Sequence, residues 1–358
     1  PAAAGGGGVS SLNPDISLIL DVALASFSDD APLQAGDHDP KASGFSLQQA
    51  ELALTRAVDP YFKVNANIVF TEEGVEVEEA YGSTLALPWN LKARVGKFLT
   101  QAGRINPTHP HTWAFVDQPF ILSRLFGGEG NSGVGAELSY LTPLPWYVEI
   151  IGSMTDAAGA ESARSFYGAT DLGVSSPVDL QATLAIKQFF DVSPNWSVLW
   201  GLSALTGPNS TGPDNRTDIA ATDLYIKYRP ITHQSYTIVS LQAEWFFRRR
   251  GLGADRLIDQ GGYAQLFYRF AKEWGAAARY ELGTPAKDSA GDVGADYLDP
   301  EWTAARHRVT AALTFWPTEF SRIRAQGSVD LPQWRDDPIW AGFLAFEFSI
   351  GAHGAHSF

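Results

Sequence analysis

A transmembrane antiparallel β-barrel of about sixteen strands is the fold class that the sequence predicts, and three observations predict it. The hydrophobic period is two along almost the whole chain. Connections between the periodic segments alternate between short turns and long loops. Aromatic side chains gather beside the short turns, where amphipathic rings suit a water–lipid boundary. Composition agrees with this: of 358 residues 45% are hydrophobic and 12% aromatic, yet no run approaches the roughly 18 apolar residues of a membrane helix. A soluble all-β protein would rarely need so many amphipathic strands in one chain. The absence of cysteine excludes disulfide scaffolds, thiol catalysis and zinc ribbons. A net charge of -14 argues against nucleic acid as a partner.

The elements follow in chain order. Residues 1–14, with an Ala-Gly-Gly-Gly-Gly run, read as a flexible segment, and Pro1 implies a leader removed or omitted. Residues 15–350 read as a single barrel. In the first strand Ile16, Leu18, Leu20, Val22 and Leu24 form one face, with Asp15, Ser17 and Asp21 opposite. The second begins near Phe45. In the third, from Tyr61, the residues Phe62, Val64, Ala66, Ile68 and Phe70 alternate with Lys63, Asn65 and Asn67. Later strands begin near Val75, Leu91, Gly133, Trp146, Leu180, Trp196, Thr217, Tyr236, Gly262, Trp274, His307, Phe320 and Trp340.

Short turns are predicted at 58–60, 88–90, 142–145, 191–195, 230–234, 271–273 and 317–319. Long loops are predicted at 28–43, 101–132, 155–179, 206–216, 251–261 and 284–306. The connection 71–74 is short where a long one is due, and 331–339 is intermediate. Such asymmetry belongs to outer-membrane barrels, with the turns on the periplasmic rim. Tyr61, Trp89, Trp146, Phe190, Trp196, Tyr228, Trp274, Trp316 and Phe320 would form the aromatic girdle there.

If the apolar face meets lipid, the alternate positions face the lumen. They include Lys63, Lys92, Arg94, Lys187, Lys227, Arg248, Arg269, Arg279, Arg308, Arg322 and Arg324, against Glu137, Glu149, Glu244 and a few further acids such as Glu51. This wall is mildly basic, and two readings stay open: bracing ion pairs between strands, or a weak preference for anions. Acidic loops could bind divalent ions that bridge lipopolysaccharide. The loop 101–132, between the fifth and sixth strands, carries Phe115, Phe120, Ile121, Leu122, Leu125 and Phe126, too apolar to wave in water. It is expected to fold into the lumen. There Arg104, His109, His111, Asp117, Arg124 and Glu129, with Lys92 and Arg94 of the wall, would line a constriction.

The stretch Leu91-Lys-Ala-Arg-Val-Gly-Lys-Phe98 followed by a long third loop resembles the phosphate-selective porin O/P group and general sixteen-stranded porins. That resemblance implies an inward-folded third loop, although the wall lacks a basic ladder dense enough for phosphate. The stretches Asn106-Pro-Thr-His-Pro-His111 and Ile350-Gly-Ala-His-Gly-Ala-His-Ser-Phe358 resemble Gram-negative barrels often labelled zinc-regulated. His109 with His111, and His353 with His356 in the tail 351–358, are therefore candidate ligands for a weakly held zinc or other divalent ion, completed by Asp117 or by each other. No other cofactor is expected. Neither a Gly-x-Ser-x-Gly elbow nor a Walker sequence is present, so no enzyme is expected. The expected role is passive diffusion of small hydrophilic solutes or ions across the outer membrane. Lipid, lipopolysaccharide and two further copies of the chain are the expected partners. The alternatives are a closed structural or partner-binding barrel and a metal-ion-related channel.

Overall fold

Strands with one lipid-facing side must satisfy every backbone N–H and C=O among themselves, and the chain does this by closure. The computed structural model describes residues 14–72, 74–170, 173–232 and 236–351. Its sixteen strands are β1 (Asp15–Phe27), β2 (Gly44–Ala57), β3 (Phe62–Phe70), β4 (Val75–Thr84), β5 (Leu91–Leu99), β6 (Ser132–Leu141), β7 (Tyr147–Thr155) and β8 (Gln181–Ser193). They continue with β9 (Trp196–Pro208), β10 (Arg216–Tyr228), β11 (Ile238–Leu252), β12 (Asp255–Arg269), β13 (Trp274–Gly283), β14 (Arg306–Thr318), β15 (Ser321–Pro332) and β16 (Ile339–Gly351). Each strand pairs antiparallel with its neighbours in sequence, and β1 pairs with β16, so no edge remains. Among the described residues no helix is long and apolar enough to cross a membrane.

The period of two sorts the faces. Ile16, Leu18 and Leu24 of β1 point out and are exposed, while Ser17 and Asp21 point in and are buried. Val95, Leu184, Leu202, Leu266, Val309 and Leu344 continue the exposed apolar exterior around the barrel. So continuous an apolar surface suits lipid and not water. Tyr61, Trp89, Trp146, Trp196, Trp274 and Phe320 are exposed on the turn rim, as the girdle reading predicts.

One connection differs. A long loop over 251–261 is predicted, but β11 runs to Leu252 and β12 starts at Asp255, leaving a two-residue turn. Gly253 takes φ +69° there, a conformation that side chains resist and tight hairpins need. The inner face of this extended hairpin carries Arg248, Arg250 and Asp259, so its charge reads as loop in sequence although the ladder is unbroken.

Of the register shifts in the barrel, two lie on the β2–β4 wall. Asp21 faces Gln49 while Val22 faces Leu47, which leaves Gln48 as an extra residue in β2. Asn67 faces Glu79 while Ile68 faces Val77, which makes Glu78 the extra residue in β4. At each bulge two consecutive side chains are buried: Gln48 with Gln49, and Glu78 with Glu79.

The long loops meet inside the outer mouth. A short helix, α1 (Phe120–Phe126), is entirely buried. Its Phe120, Ile121, Leu122, Leu125 and Phe126 pack with Phe166 of loop 156–180, Trp302 of loop 284–305, and Phe246 and Tyr263 of the wall. An apolar core thus lies within the barrel on its long-loop side.

Candidate functional site

The lumen is organised by the loop 100–131. Its backbone is held by inward side chains from most of the circumference. Near its start, the Glu244 carboxylate accepts from the amides of Arg104 and Ile105, both at 2.9 Å. Gly103 lies against that carboxylate with φ +74°, and a Cβ there would meet Glu244 Oε2 at 2.2 Å, so only glycine fits. On the far wall Arg322 donates to the Trp113 carbonyl at 2.9 Å, and Arg324 to the Phe115 carbonyl at 2.6 Å. Gln326 accepts from the Val116 amide at 2.7 Å, and Glu281 from the Phe120 amide at 2.8 Å.

Asp117 is the centre of this clamp. Arg279 Nη2 donates to its Oδ1 at 2.7 Å, Gln326 donates to the same oxygen at 2.7 Å, and Arg308 Nη1 lies 3.1 Å from Oδ2. Burial alone would raise the Asp117 carboxyl, but Arg308 and Arg279 outweigh it and hold it below its ordinary value. Glu281 completes the arginine pairing from the wall.

These contacts revise the predicted lining. Asp117 and Arg124 are 0% and 3% exposed, so both face protein and not an aqueous passage. Arg124 lies 3.8 Å over the Trp302 ring and donates to the Thr284 carbonyl at 2.6 Å. Arg248, Arg279, Arg308 and Arg324, expected to face water, are buried beneath the loop. Arg248 pairs with Asp259 at 2.9 Å, Arg94 with Glu137 at 2.8 Å, and Arg322 with Glu347. The buried wall arginines are thus largely neutralised in place, which favours bracing over an anion-attracting surplus.

Other predicted residues remain accessible. Arg104, held by its backbone beside β11, stacks 4.0 Å over the Tyr225 ring on the adjacent β10. Lys187 donates to Gln101, and Lys63 and Lys227 are half-buried on the wall. Lys92 is exposed at the turn end of β5. Arg269 lies 5.0 Å over Trp316 beside a turn, and Glu149 accepts from the Tyr147 hydroxyl at 2.6 Å.

The histidines gather on the β2–β4 wall. His109 Nδ1 lies 3.0 Å from Glu78 Oε2, and its Nε2 lies 3.1 Å from Glu79 Oε2. His111 Nδ1 lies 3.0 Å from Glu51 Oε2, with its ring stacked 5.8 Å from that of His109. His38, which the sequence reading passed over, adds its Nε2 at 2.8 Å from Glu78 Oε1 and 3.6 Å from Glu129 Oε2. Burial pushes both His38 and His109 down. The carboxylates outweigh it, Glu129 and Glu78 on His38 and Glu78 and Glu79 on His109, and both sit well above the usual histidine value. Asp117, proposed as a partner for the histidines, is instead committed to the arginines. His353 and His356 lie outside the described residues.

A second polar network lies at the outer mouth. Arg250 donates to both Asp296 oxygens at 2.6 Å, joining loop 284–305 to β11. Burial would raise the Asp296 carboxyl, but the pair with Arg250 holds it well below the usual carboxylate range. A carboxyl depressed on folding contributes stability above its unfolded value near 3.9, and that contribution is lost as pH falls through the lower folded value. Hydrogen exchange should therefore show loss of amide protection in loop 284–305 below about pH 3.9 while the strands stay protected. Protection that persists as pH falls well below that value would mean the pair does not hold the loop.

No protein-family model matches the chain. An uncharacterized protein of Aquifex aeolicus is 32% identical over 390 aligned positions, covering 96% of this chain and 80% of the relative. Among solved structures, Pseudomonas putida OprB superposes with a TM-score of 0.63 at 11% identity, covering 94% of both chains. The anion-selective porin of Comamonas acidovorans gives 0.60 at 11% identity, over 94% of this chain and 99% of that one. Vibrio cholerae OmpT in its trimer form gives 0.58 at 10% identity, over 94% and 99%. At these identities the likeness is one of fold: a sixteen-stranded outer-membrane barrel.

Proposed function

This chain belongs to one family with the uncharacterized Aquifex aeolicus protein, and from its barrel we propose that it is an outer-membrane porin for small hydrophilic solutes or ions. The observation that carries the reading is a closed barrel, apolar outside, whose β5–β6 loop is clamped across a polar lumen. Sixteen strands leave room for an aqueous channel, and the loop narrows it to a sieve. A porin role includes no bond-making step, so the proposal assigns no enzyme activity.

The proposed passage lies beside the loop on the β8–β10 side. Lys187, Lys227 and Arg104 are partly accessible there, whereas the carboxylates of the β2–β4 side are buried behind the loop. Weak anion preference follows, since fixed charge acts on ions that approach it. Reversal potentials in a salt gradient should show this preference, and Lys187→Gln with Lys227→Gln should move it toward zero. An unchanged potential would remove both lysines from the passage. Resemblance to phosphate-selective porins is not carried further, because the wall arginines that a phosphate ladder would need are paired. Assembly as a homotrimer is part of the proposal, with the Vibrio cholerae protein as precedent. The four-residue connection 71–74 supplies no latch, so contact would run through the apolar wall.

A second reading rests on one observation. The apolar core formed by Phe120, Ile121, Leu125, Phe166, Phe246 and Trp302 fills the outer mouth, as in a barrel that is closed and structural. Conductance of the purified protein separates the two.

A further inference from the structure

One pocket collects metal-ligating side chains from four separate segments. His38 comes from loop 28–43, Glu51 from β2, Glu78 from β4, and His109 and Glu129 from loop 100–131. Glu78 stands between two imidazoles, with Oε1 2.8 Å from His38 Nε2 and Oε2 3.0 Å from His109 Nδ1. Glu129 Oε2 lies 3.6 Å from His38 Nε2, and Glu51 Oε1 lies 3.9 Å from His109 Nδ1. In each trio, His38–Glu78–Glu129 and Glu51–Glu78–His109, the donor atoms lie within 4.8 Å of one another. An ion with bonds of about 2.0–2.2 Å to nitrogen and oxygen gathers donors at such spacings. A cavity of about 30 Å³ borders His38, Glu78, Glu129 and His109, room for one ion at the first trio, and a second ion would replace the direct contacts of His109 with Glu51 and Glu78.

Each imidazole also has a partner at its second ring nitrogen. His38 Nδ1 lies 3.4 Å from the Gln48 carbonyl, the residue that the β2 bulge turns inward. His109 Nε2 lies 3.1 Å from Glu79, the neighbour that the β4 bulge turns inward. A hydrogen bond at the second ring nitrogen fixes the tautomer and aims the first at an ion. Charge points the same way. Glu51, Glu78, Glu79 and Glu129 share this buried space, and the nearby Arg94 is 4.0 Å from Glu79 while paired to Glu137. A divalent ion would take over the neutralisation that the imidazolium groups supply, releasing their protons.

We propose that this pocket binds two divalent transition-metal ions of the zinc class, bridged by Glu78. His38 and Glu129 complete one site, and His109 and Glu51 complete the other. Mixed imidazole and carboxylate donors select such ions over magnesium and calcium, which prefer oxygen alone. Binding would join loops 28–43 and 100–131 to the β2–β4 wall. The inference is independent of conduction and is read without it.

The test uses the full chain in detergent, carrying His353→Ala and His356→Ala to remove tail ligands, with zinc in equilibrium dialysis and cobalt absorption as a second readout. Two zinc ions per chain are expected, falling to one in His38→Ala and to one in His109→Ala. Glu78→Gln should weaken both sites by about tenfold or more. Far-ultraviolet circular dichroism and heat-modifiable migration report whether that variant folds, and the two histidine variants decide the matter if it does not. Zinc uptake unchanged in His38→Ala and His109→Ala would overturn the proposal. So would uptake lost when the tail histidines alone are replaced, or displacement of zinc by an equal concentration of magnesium.

Discussion

Deleting residues 115–127 should raise single-channel conductance several-fold. This segment carries Phe115, α1 and Asp117, and it occupies the lumen between β11–β15 and the opposite wall. Its removal takes away the inner partners of Arg279, Arg308 and Arg324, while Glu281 and Glu347 remain to pair them from the wall itself. The barrel ladder does not depend on the loop, because every strand keeps both neighbours. A sixteen-stranded barrel without its inner loop is wide enough to conduct freely. Planar-bilayer recording checks the expectation. Conductance equal to that of the intact chain would place the passage away from this loop. The same deletion in the closed-barrel reading would convert a silent protein into a conducting one.

Asp117→Ala should have the largest effect of any single substitution in the loop, a loss of about 3–5 kcal/mol of loop anchoring. Asp117 is fully buried, and its carboxylate receives Arg279, Arg308 and Gln326 together. Truncation leaves two buried guanidinium groups sharing Glu281, and uncompensated buried charge is what makes such losses large. Asp117→Asn keeps the shape but removes the charge and should fall between the two. Noise and sub-states in the current should increase as the loop leaves the wall, and the chain should become a substrate for proteolysis between 113 and 119. A protected loop and an unaltered current in Asp117→Ala would show that the backbone contacts of Glu244 and Glu281 suffice alone.

The strands were legible because lipid outside and water inside impose a strict period of two. Fifteen of the sixteen begin within two residues of where the alternation places them, β12 being the exception. At β12 the hairpin carries Arg248, Arg250 and Asp259 inward and turns on Gly253, so charge and glycine imitated a loop. The inward bend of 101–132 was visible in its apolar content. Its partners were not, since Asp117 and Arg279 are 162 residues apart and only closure of the barrel brings them together. His109 and His111 could be picked out as a pair, but their carboxylates could not. Counting forward from Val75 puts Glu78 inside, and counting back from Ser83 puts Glu79 inside; the bulge satisfies both counts. His38 sits in a loop with no period to place it.

Planar-bilayer recording of the purified intact chain decides whether the lumen conducts. Discrete channel openings are expected, with a conductance that rises with salt concentration and stays below that of the 115–127 deletion. A folded barrel that gives no current above background would contradict the porin reading.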